Sequence, residues 1–374
     1  HMGGRIIKGV LMVGPPGCGK TYLAKAVATE TGLPFLHAVS SEFVGMIVGM
    51  GAQRIKALFK QARQLAELHG GCIIFIDEID SVARPRVTPS GYGGGISHNA
   101  TVNQLLTELD GLDSKQGNVV VIAATNIDEN ELDPALMRAG RFDRKIYVAY
   151  PGLKEREALL KYYLNKTNYD KENIDFARLA RLTVSDSPAD VANIVHEASL
   201  IAMRKKLPKI TMSELNEAKE RIILGIKSEV TLSDKDKLVS AYHEAGRTLA
   251  TYLLVPSSDV FKASIIPRRG AISASWIMET EERLMNNKEE LLGKIKILLG
   301  GYAAEKIKFG FSSQAVEGDL AIANTIAENM VNRWGMGSSG PIKSLGMNSY
   351  VSDGDKEEIM DSCLAEVNEM LRKE

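Results

Sequence analysis

Cysteine is scarce. Cys18, Cys72 and Cys363 are the three among 374 residues, and no two lie close in the sequence. That spacing excludes a disulfide framework and a thiolate zinc site, and it makes a reducing compartment the default. Net charge is nearly absent too: 46 Lys plus Arg against 47 Asp plus Glu leave a formal charge of −1. Such a balance argues against a polyanion binder whose affinity rests on neutralising phosphates, so no nucleic acid partner is expected. Long apolar runs are missing as well. The longest, Val119–Ala124, has six residues, whereas a helix crossing a bilayer needs about 20. Internal repeats and extended low-complexity stretches are also lacking.

Against these absences, 44% hydrophobic residues exclude a disordered chain, and the length implies two or three domains. His1 and Met2 read as a cloning remnant. The residues after them run almost directly into a buried strand, so the chain is expected to be cut from something longer and to be soluble as a fragment. From Gly9 to about Tyr150, short apolar runs alternate with helical patterns: Val10–Val13, Ile73–Ile76, Val119–Ala124 and Lys145–Val148. They are too continuous for strands buried on one face, which predicts a parallel sheet covered on both sides. From Gly152 to about Lys227 the pattern is helical. One helix is expected to open at Ser187-Pro188-Ala189-Asp190, with a hydroxyl at the N-cap, proline at the first position and a carboxylate in the first turn. Ser228–Asp234 reads as a linker. A second, mostly helical domain follows from near Lys235, interrupted by an extended stretch, Ala263–Ile277. Gly91–Gly95, four glycines in five residues, reads as a mobile loop.

Val10–Val13 runs into Gly14-Pro15-Pro16-Gly17-Cys18-Gly19-Lys20-Thr21, and a helical pattern follows. This is a P-loop in its required context of strand, loop and helix. Its glycines let backbone N–H groups turn inward around phosphate oxygens, and the helix N-terminus adds partial positive charge. Lys20 is placed to reach β- and γ-phosphates, and the Thr21 hydroxyl to coordinate Mg²⁺. Ile73–Ile76 leads into Asp77-Glu78. Two carboxylates leaving a buried strand together need a charged partner; Mg²⁺ for Asp77 and an attacking water for Glu78 meet that need, so hydrolysis of ATP is expected. Val119–Ala124 ends in Thr125-Asn126, whose amide is suited to the same water. In Arg138-Ala139-Gly140-Arg141-Phe142-Asp143-Arg144, a cationic turn reads either as a solvated surface or as arginines delivered to a neighbour's γ-phosphate, which implies a ring.

In this order and spacing the motifs resemble an AAA ATPase, and the remainder narrows the likeness to the FtsH family, the membrane-anchored AAA zinc metalloproteases. The resemblance runs through Gly9–Thr21, Phe43–Ala52, Leu132–Arg144, Ala241–Gly246, Ile265-Ile266-Pro267-Arg268, Leu299–Glu305 and Met330–Met336. It implies an α/β P-loop AAA ATPase core at residues 3–150, its N-terminal part missing. A helical lid at 151–227 and a mainly helical zincin-like peptidase domain at 234–374 complete the implied fold. It also implies a homo-hexamer that threads unfolded or membrane protein substrates through its pore to a zinc protease ring. The full-length protein would be anchored in a cell inner membrane or organelle membrane, with its catalytic domains on the cytoplasmic or matrix side. Asn126 becomes sensor 1, and Arg138 and Arg141 become arginine fingers supplied across the subunit interface.

Two departures from the family pattern stand out. Its protease signature is His-Glu-x-x-His; here it reads His243-Glu244-Ala245-Gly246-Arg247. Histidines at i and i+4 of a helix share one face and can ligate one Zn²⁺ while the glutamate activates water. By its distance to Trp334-Gly335, Asp319 matches the family's third ligand, so the set would be His243, Asp319 and an arginine. Arginine offers no lone pair, and losing one of three protein ligands should collapse zinc affinity. A dead or poor peptidase is expected, with Arg247 standing in as counter-cation and bridging Glu244 and Asp319. In the pore segment the family carries an aromatic residue before Val-Gly, whereas here Ile47 precedes Val48-Gly49. An aliphatic side chain supplies less rigid contact area for threading; Tyr92 in the glycine loop is a partial substitute or a plain surface tyrosine. Cys18 and Pro188 replace a usual threonine and glycine without structural consequence.

Three functions are therefore weighed. The leading one is an ATP-driven unfoldase with a disabled zinc site. An active ATP-dependent zinc metalloendopeptidase would need another histidine, yet His37, His69, His98 and His196 all lie in the ATPase half. A nucleotide-binding assembly factor without turnover sits poorly with the complete set Lys20, Asp77, Glu78, Asn126, Arg138 and Arg141.

Overall fold

The computed structural model describes residues 7–43, 49–85, 94–113, 118–225, 232–267, 273–279, 285–340 and 349–373. Ile47 and Val48 of the pore segment, Tyr92, Arg268 and most of the linker lie outside these residues; the last two glycines of the glycine-rich loop open a helix. The chain divides into two compact units, His1–Leu159 with Ser185–Asn193 and Leu160–Val184 with Ile194–Glu374.

The first unit follows the order β1 (Gly9–Val13), α1 (Lys20–Thr31), β2 (Phe35–Val39), α2 (Met50–His69), β3 (Cys72–Asp77), the single-turn α3 (Asp80–Ala83), α4 (Gly94–Asp110), β4 (Val119–Thr125) and β5 (Arg144–Tyr147). Its five strands form one parallel sheet in the order β2-β3-β4-β1-β5. Successive strand residues face opposite sides, and here both sides are covered. Leu11, Ile74, Ile76, Val121 and Ala123 share a core with Phe59 of α2 and Leu105 of α4. Met12, Ile73, Phe75, Ile122 and Ala124 form the opposite core with Ala24 and Ala28 of α1. Each such large side chain removed from water contributes about 1.5–3 kcal/mol.

The register sets Val13 beside Thr125 and Ile76 beside Ala123, so residues following β1, β3 and β4 emerge at one sheet edge. That edge is where open parallel sheets bind ligands. Two strands depart from expectation. β5 was expected to be buried, but it is exposed along its length, with Ile146 at 40% and Tyr147 at 66%. It is an edge strand, with β1 as its sole neighbour among the described residues. At the other edge, β2 was not expected: its sequence FLHAV has no clear period, and Ala38 is its one buried residue.

Helices α5 (Leu153–Leu164), α6 (Phe176–Leu182), α7 (Pro188–Arg204) and α8 (Met212–Leu224) come next. As expected, α7 opens at Pro188: Asp190 N donates to Ser187 Oγ (3.2 Å), and Ser187 N donates to Asp190 Oδ2 (2.9 Å). The remaining elements are α9 (Asp234–Leu254), an antiparallel hairpin of β6 (Ser258–Ser264) and β7 (Ala274–Glu279), α10 (Lys288–Phe309), α11 (Glu317–Asn332) and α12 (Ser349–Lys373). Asn287 and Glu290 close a capping box on α10. Leu291, Ile295 and Leu299, one turn apart on α10, pack on Ala323, Ala327 and Met330 of α11 and on Ile359 and Cys363 of α12. On its other side α10 meets α9 at a glycine crossing. A Cβ on Gly246 would stand 2.3 Å from the Gly300 carbonyl oxygen, so the two backbones come as close as glycine permits.

Candidate functional site

The P-loop leaves β1 at Gly14 and becomes α1 at Lys20. Gly17 and Gly19 hold φ values of 76° and 94°, which side-chain-bearing residues rarely adopt. These turns fold the loop back so that Lys20 Nζ donates to Gly14 O (2.6 Å), Pro15 O (2.8 Å) and Asn126 Oδ1 (2.7 Å). An ammonium has three donors, and all three are used here. Lys20 is buried at 7% exposure, and burial lowers its pKa, opposed in part by the charges of Asp77 and Asp80. Beside it, Thr21 Oγ1 donates to Asp77 Oδ2 (2.8 Å). A hydroxyl and a carboxylate oxygen in contact at the mouth of a P-loop are hard donors of the kind Mg²⁺ takes.

Glu78 departs from the sequence argument. It is exposed while Asp77 is half-buried, so desolvation forces a partner on Asp77 alone. The Glu78 backbone sits at φ 51°, an uncommon conformation for a residue with a side chain. Its carbonyl accepts from Ser40 Oγ, and its N–H donates to Asp77 Oδ1 (3.0 Å). Asn126 Oδ1 accepts from Lys20, which ties the end of β4 to the P-loop.

The two predicted finger arginines differ. Arg138 is exposed, and its side chain has no partner among the described residues. Arg141 grips Asp110 with both Nε (2.7 Å) and Nη2 (2.8 Å), and Nη1 donates to Ala135 O (2.5 Å). Hydrogen bonding to Arg141 holds the Asp110 carboxyl below its ordinary pKa, and the same bond raises that of Arg141. The Cys18 thiol is raised by burial.

The second constellation lies where α9, α10 and α11 meet. His243 is 3% exposed, its ring seated on Gly301, where a Cβ would come within 2.4 Å of the imidazole. Nδ1 lies 2.8 Å from Glu305 Oε1, and Nε2 lies 3.2 Å from Asp319 Oδ2. Burial works to lower the His243 pKa, but hydrogen bonding to Asp319 and Glu305 and the charge of Glu244 outweigh it and hold it above the ordinary value. Arg247 Nη1 lies 3.4 Å from Asp319 Oδ1. The expected bridge to both carboxylates is not formed: among the described residues, buried Glu244 Oε2 has no partner, nor has Arg247 Nε. Thus His243 and Asp319 supply two metal donors, and a guanidinium occupies the third position. Among the described residues no group of three or more His, Cys, Asp or Glu is arranged to hold a metal ion. A zincin needs three protein ligands and an open fourth position, so this donor set does not fit zinc.

Glu305 was not anticipated as a site residue. It is fully buried and also accepts from Ser313 N and Ser313 Oγ. The one available signal was a carboxylate on the otherwise apolar small-residue face of α10, since a lone buried acid needs a partner. The predicted pore residue Gly49 caps α2 at φ 88°.

Sequence comparisons agree with this layout. Residues 10–150 match the ATPase family associated with various cellular activities (AAA), 173–217 the AAA+ lid domain, and 230–372 peptidase family M41. The ATP-dependent zinc metalloprotease FtsH of Borreliella burgdorferi is 46% identical over 344 residues, 91% of this chain and 52% of the relative. The protein of the same name from Thermus thermophilus is 41% identical over 378 residues, covering 100% of this chain and 59% of its own length. FtsH 4 of Synechocystis is 44% identical over 337 residues, 90% and 53% of the two chains. The chain spans about half the length of the relatives it matches.

Proposed function

Because this chain belongs to the FtsH family of ATP-dependent zinc metalloproteases, we propose that it hydrolyses ATP in a homo-hexameric ring to unfold and thread protein substrates through the ring's pore, and that Arg247 has disabled its zinc peptidase site. In this reading the α/β core is 3–150, the lid 151–227 and the peptidase portion 234–374, and the longer protein carries a membrane anchor outside this chain. No helix among the described residues is long and apolar enough to cross a membrane.

The observation that carries the motor reading is the convergence of Lys20, Asn126, Thr21 and Asp77 at the ends of β1, β3 and β4. Lys20, already desolvated, binds the β- and γ-phosphates by exchanging loop carbonyls for phosphate oxygens. Thr21 and Asp77 would hold Mg²⁺, which would supply charge neutralisation on the phosphates when bound. Glu78, exposed beside them, orients the attacking water, and Asn126 reports the γ-phosphate to β4 through the group it shares with Lys20. Arg138, without a partner among the described residues, reaches the neighbouring subunit's γ-phosphate; Arg141 supports that turn. The disabled peptidase is supported by the donor chemistry: Glu244 has no metal-bound water to act on where a guanidinium replaces a ligand.

Phosphate release from the purified oligomer tests the motor. The parent chain should turn over ATP, and Glu78→Gln should bind nucleotide while losing roughly a hundredfold or more of the rate. Absence of turnover in a hexameric parent refutes the motor. Casein digestion with added zinc tests the peptidase: ordinary cleavage by the parent chain refutes its loss.

A further inference from the structure

We infer that Arg247 takes over the structural work of the absent zinc ligand set, tying α9 to α11 through Asp319 so that the peptidase half keeps its fold without any metal. The inference rests on the reading that the site holds no zinc, and goes beyond it by assigning Arg247 a positive role. Three carboxylates, Glu244, Glu305 and Asp319, converge here at 3%, 0% and 12% side-chain or residue exposure. Such a cluster repels itself in a poorly hydrated interior unless positive charge is supplied. A divalent cation would do so; here the supply comes from one turn of α9.

The contacts form an unbroken chain across three helices. Glu305 on α10 holds His243 Nδ1 at 2.8 Å, His243 Nε2 meets Asp319 Oδ2 at 3.2 Å, and Arg247 Nη1 meets Asp319 Oδ1 at 3.4 Å. Both oxygens of Asp319 are thereby engaged by α9, one through an imidazole and one through a guanidinium a turn later. Arg247 is itself only 18% exposed in its side chain, so the pair is shielded from water and salt more than a surface pair would be. Asp319 stands in the first turn of α11, and its capture fixes where that helix begins against α9. The tie is one-sided, since Glu244 Oε2 gains no partner from it; a neutral residue without a donor at 247 would leave Asp319 held by the imidazole alone.

Both tryptophans, Trp276 and Trp334, lie in this half, so fluorescence-detected melting of the whole chain reads it selectively. The parent should contain less than about 0.1 zinc per chain by elemental analysis, far short of the full occupancy a three-ligand site holds. Its melting temperature should be unmoved by 1,10-phenanthroline or by added zinc. Arg247→Ala should melt about 5 °C or more lower, as expected when a shielded ion pair loses one partner. Arg247→His should bind about one zinc per chain and become sensitive to the chelator. About one zinc in the parent would overturn both the inference and the reading beneath it. A zinc-free parent whose Arg247→Ala variant melts unchanged would overturn the tie alone. Should Arg247→Ala not fold, Arg247→Lys and Asp319→Asn with their double variant replace it: non-additive melting shifts support the tie, and additive ones refute it.

Discussion

Gly246 is where the peptidase half can be broken by a single methyl. A Cβ at that position would lie 2.3 Å from Gly300 O, 2.5 Å from Ala304 Cβ and 2.9 Å from Gly300 C. Carbon contacts are comfortable at about 3.5–4.0 Å, so the overlap exceeds 1 Å against two atoms, one of them backbone. No rotamer change relieves it; α9 and α10 must separate. Overpacking of this kind costs about 1–3 kcal/mol, and the rigid obstacle puts Gly246→Ala at the upper end. For a unit of this size each kcal/mol moves the midpoint by about 2–4 °C, so the tryptophan-detected transition should fall by about 6–12 °C. Gly354→Ala on α12 is the matched control. It is exposed, with nothing within 4 Å of the added carbon, so the loss of unfolded-state freedom dominates and the midpoint should rise by about 1–3 °C. The opposite signs rest on one geometric difference, the space around the new methyl. Equal shifts, or a Gly246→Ala protein that melts like its parent, would refute the close crossing of α9 and α10.

Arg138 and Arg141, the two proposed arginine fingers, should separate in a paired assay of phosphate release and chemical denaturation. Arg138→Ala should cut turnover by about a thousandfold with unchanged stability, because the exposed side chain has no partner among the described residues. Arg141→Ala should add a stability loss of about 1–2 kcal/mol from the half-exposed Asp110 pair and the bond to Ala135 O; equal stabilities would contradict the assignment. Burial pushes the Cys363 thiol up from 9.0 to about 11, so native protein should resist iodoacetamide at pH 8 at this position. The same shift sets a sign for stability. Below pH 9 both states carry the proton, and between pH 9 and 11 the unfolded thiol ionises first, so stability falls with rising pH by up to about 2–3 kcal/mol. Fast labelling of Cys363 at pH 8, or no alkaline loss relative to Cys363→Ala, would count against its burial.

Much of the nucleotide half was legible along the chain because its information is local. The P-loop couples adjacent residues, and continuous apolar strands reveal a doubly covered sheet through the two interleaved cores of Leu11, Ile74 and Val121 against Met12, Phe75 and Ile122. Periodicity cannot see lateral position in a sheet. For that reason β5 looked buried and is an exposed edge, and β2, with its single buried alanine, escaped notice. The same limit explains Glu78, whose exposure depends on a backbone turn with φ of 51° rather than on residue type.

By itself the order of residues determined which chemical groups this protein possesses: a lysine and a hydroxyl in a P-loop, a carboxylate at the end of β3, a cationic turn with Arg138 and Arg141, and an arginine at the last position of His243-Glu244-Ala245-Gly246-Arg247. A guanidinium lacks a lone pair in any fold, so that conclusion required no coordinates. Which partner each group takes was decided only in three dimensions. Arg247 could have reached Glu244 on its own helix, yet it turns to Asp319, 72 residues later in the chain; Arg141 is spoken for by Asp110 while Arg138 is not; and Glu305 emerges as the residue that orients His243. Those choices depend on how closely helices approach, which at Gly246 and Gly301 is set by absent side chains, and on burial, which makes an unpaired carboxylate costly only where water has been excluded.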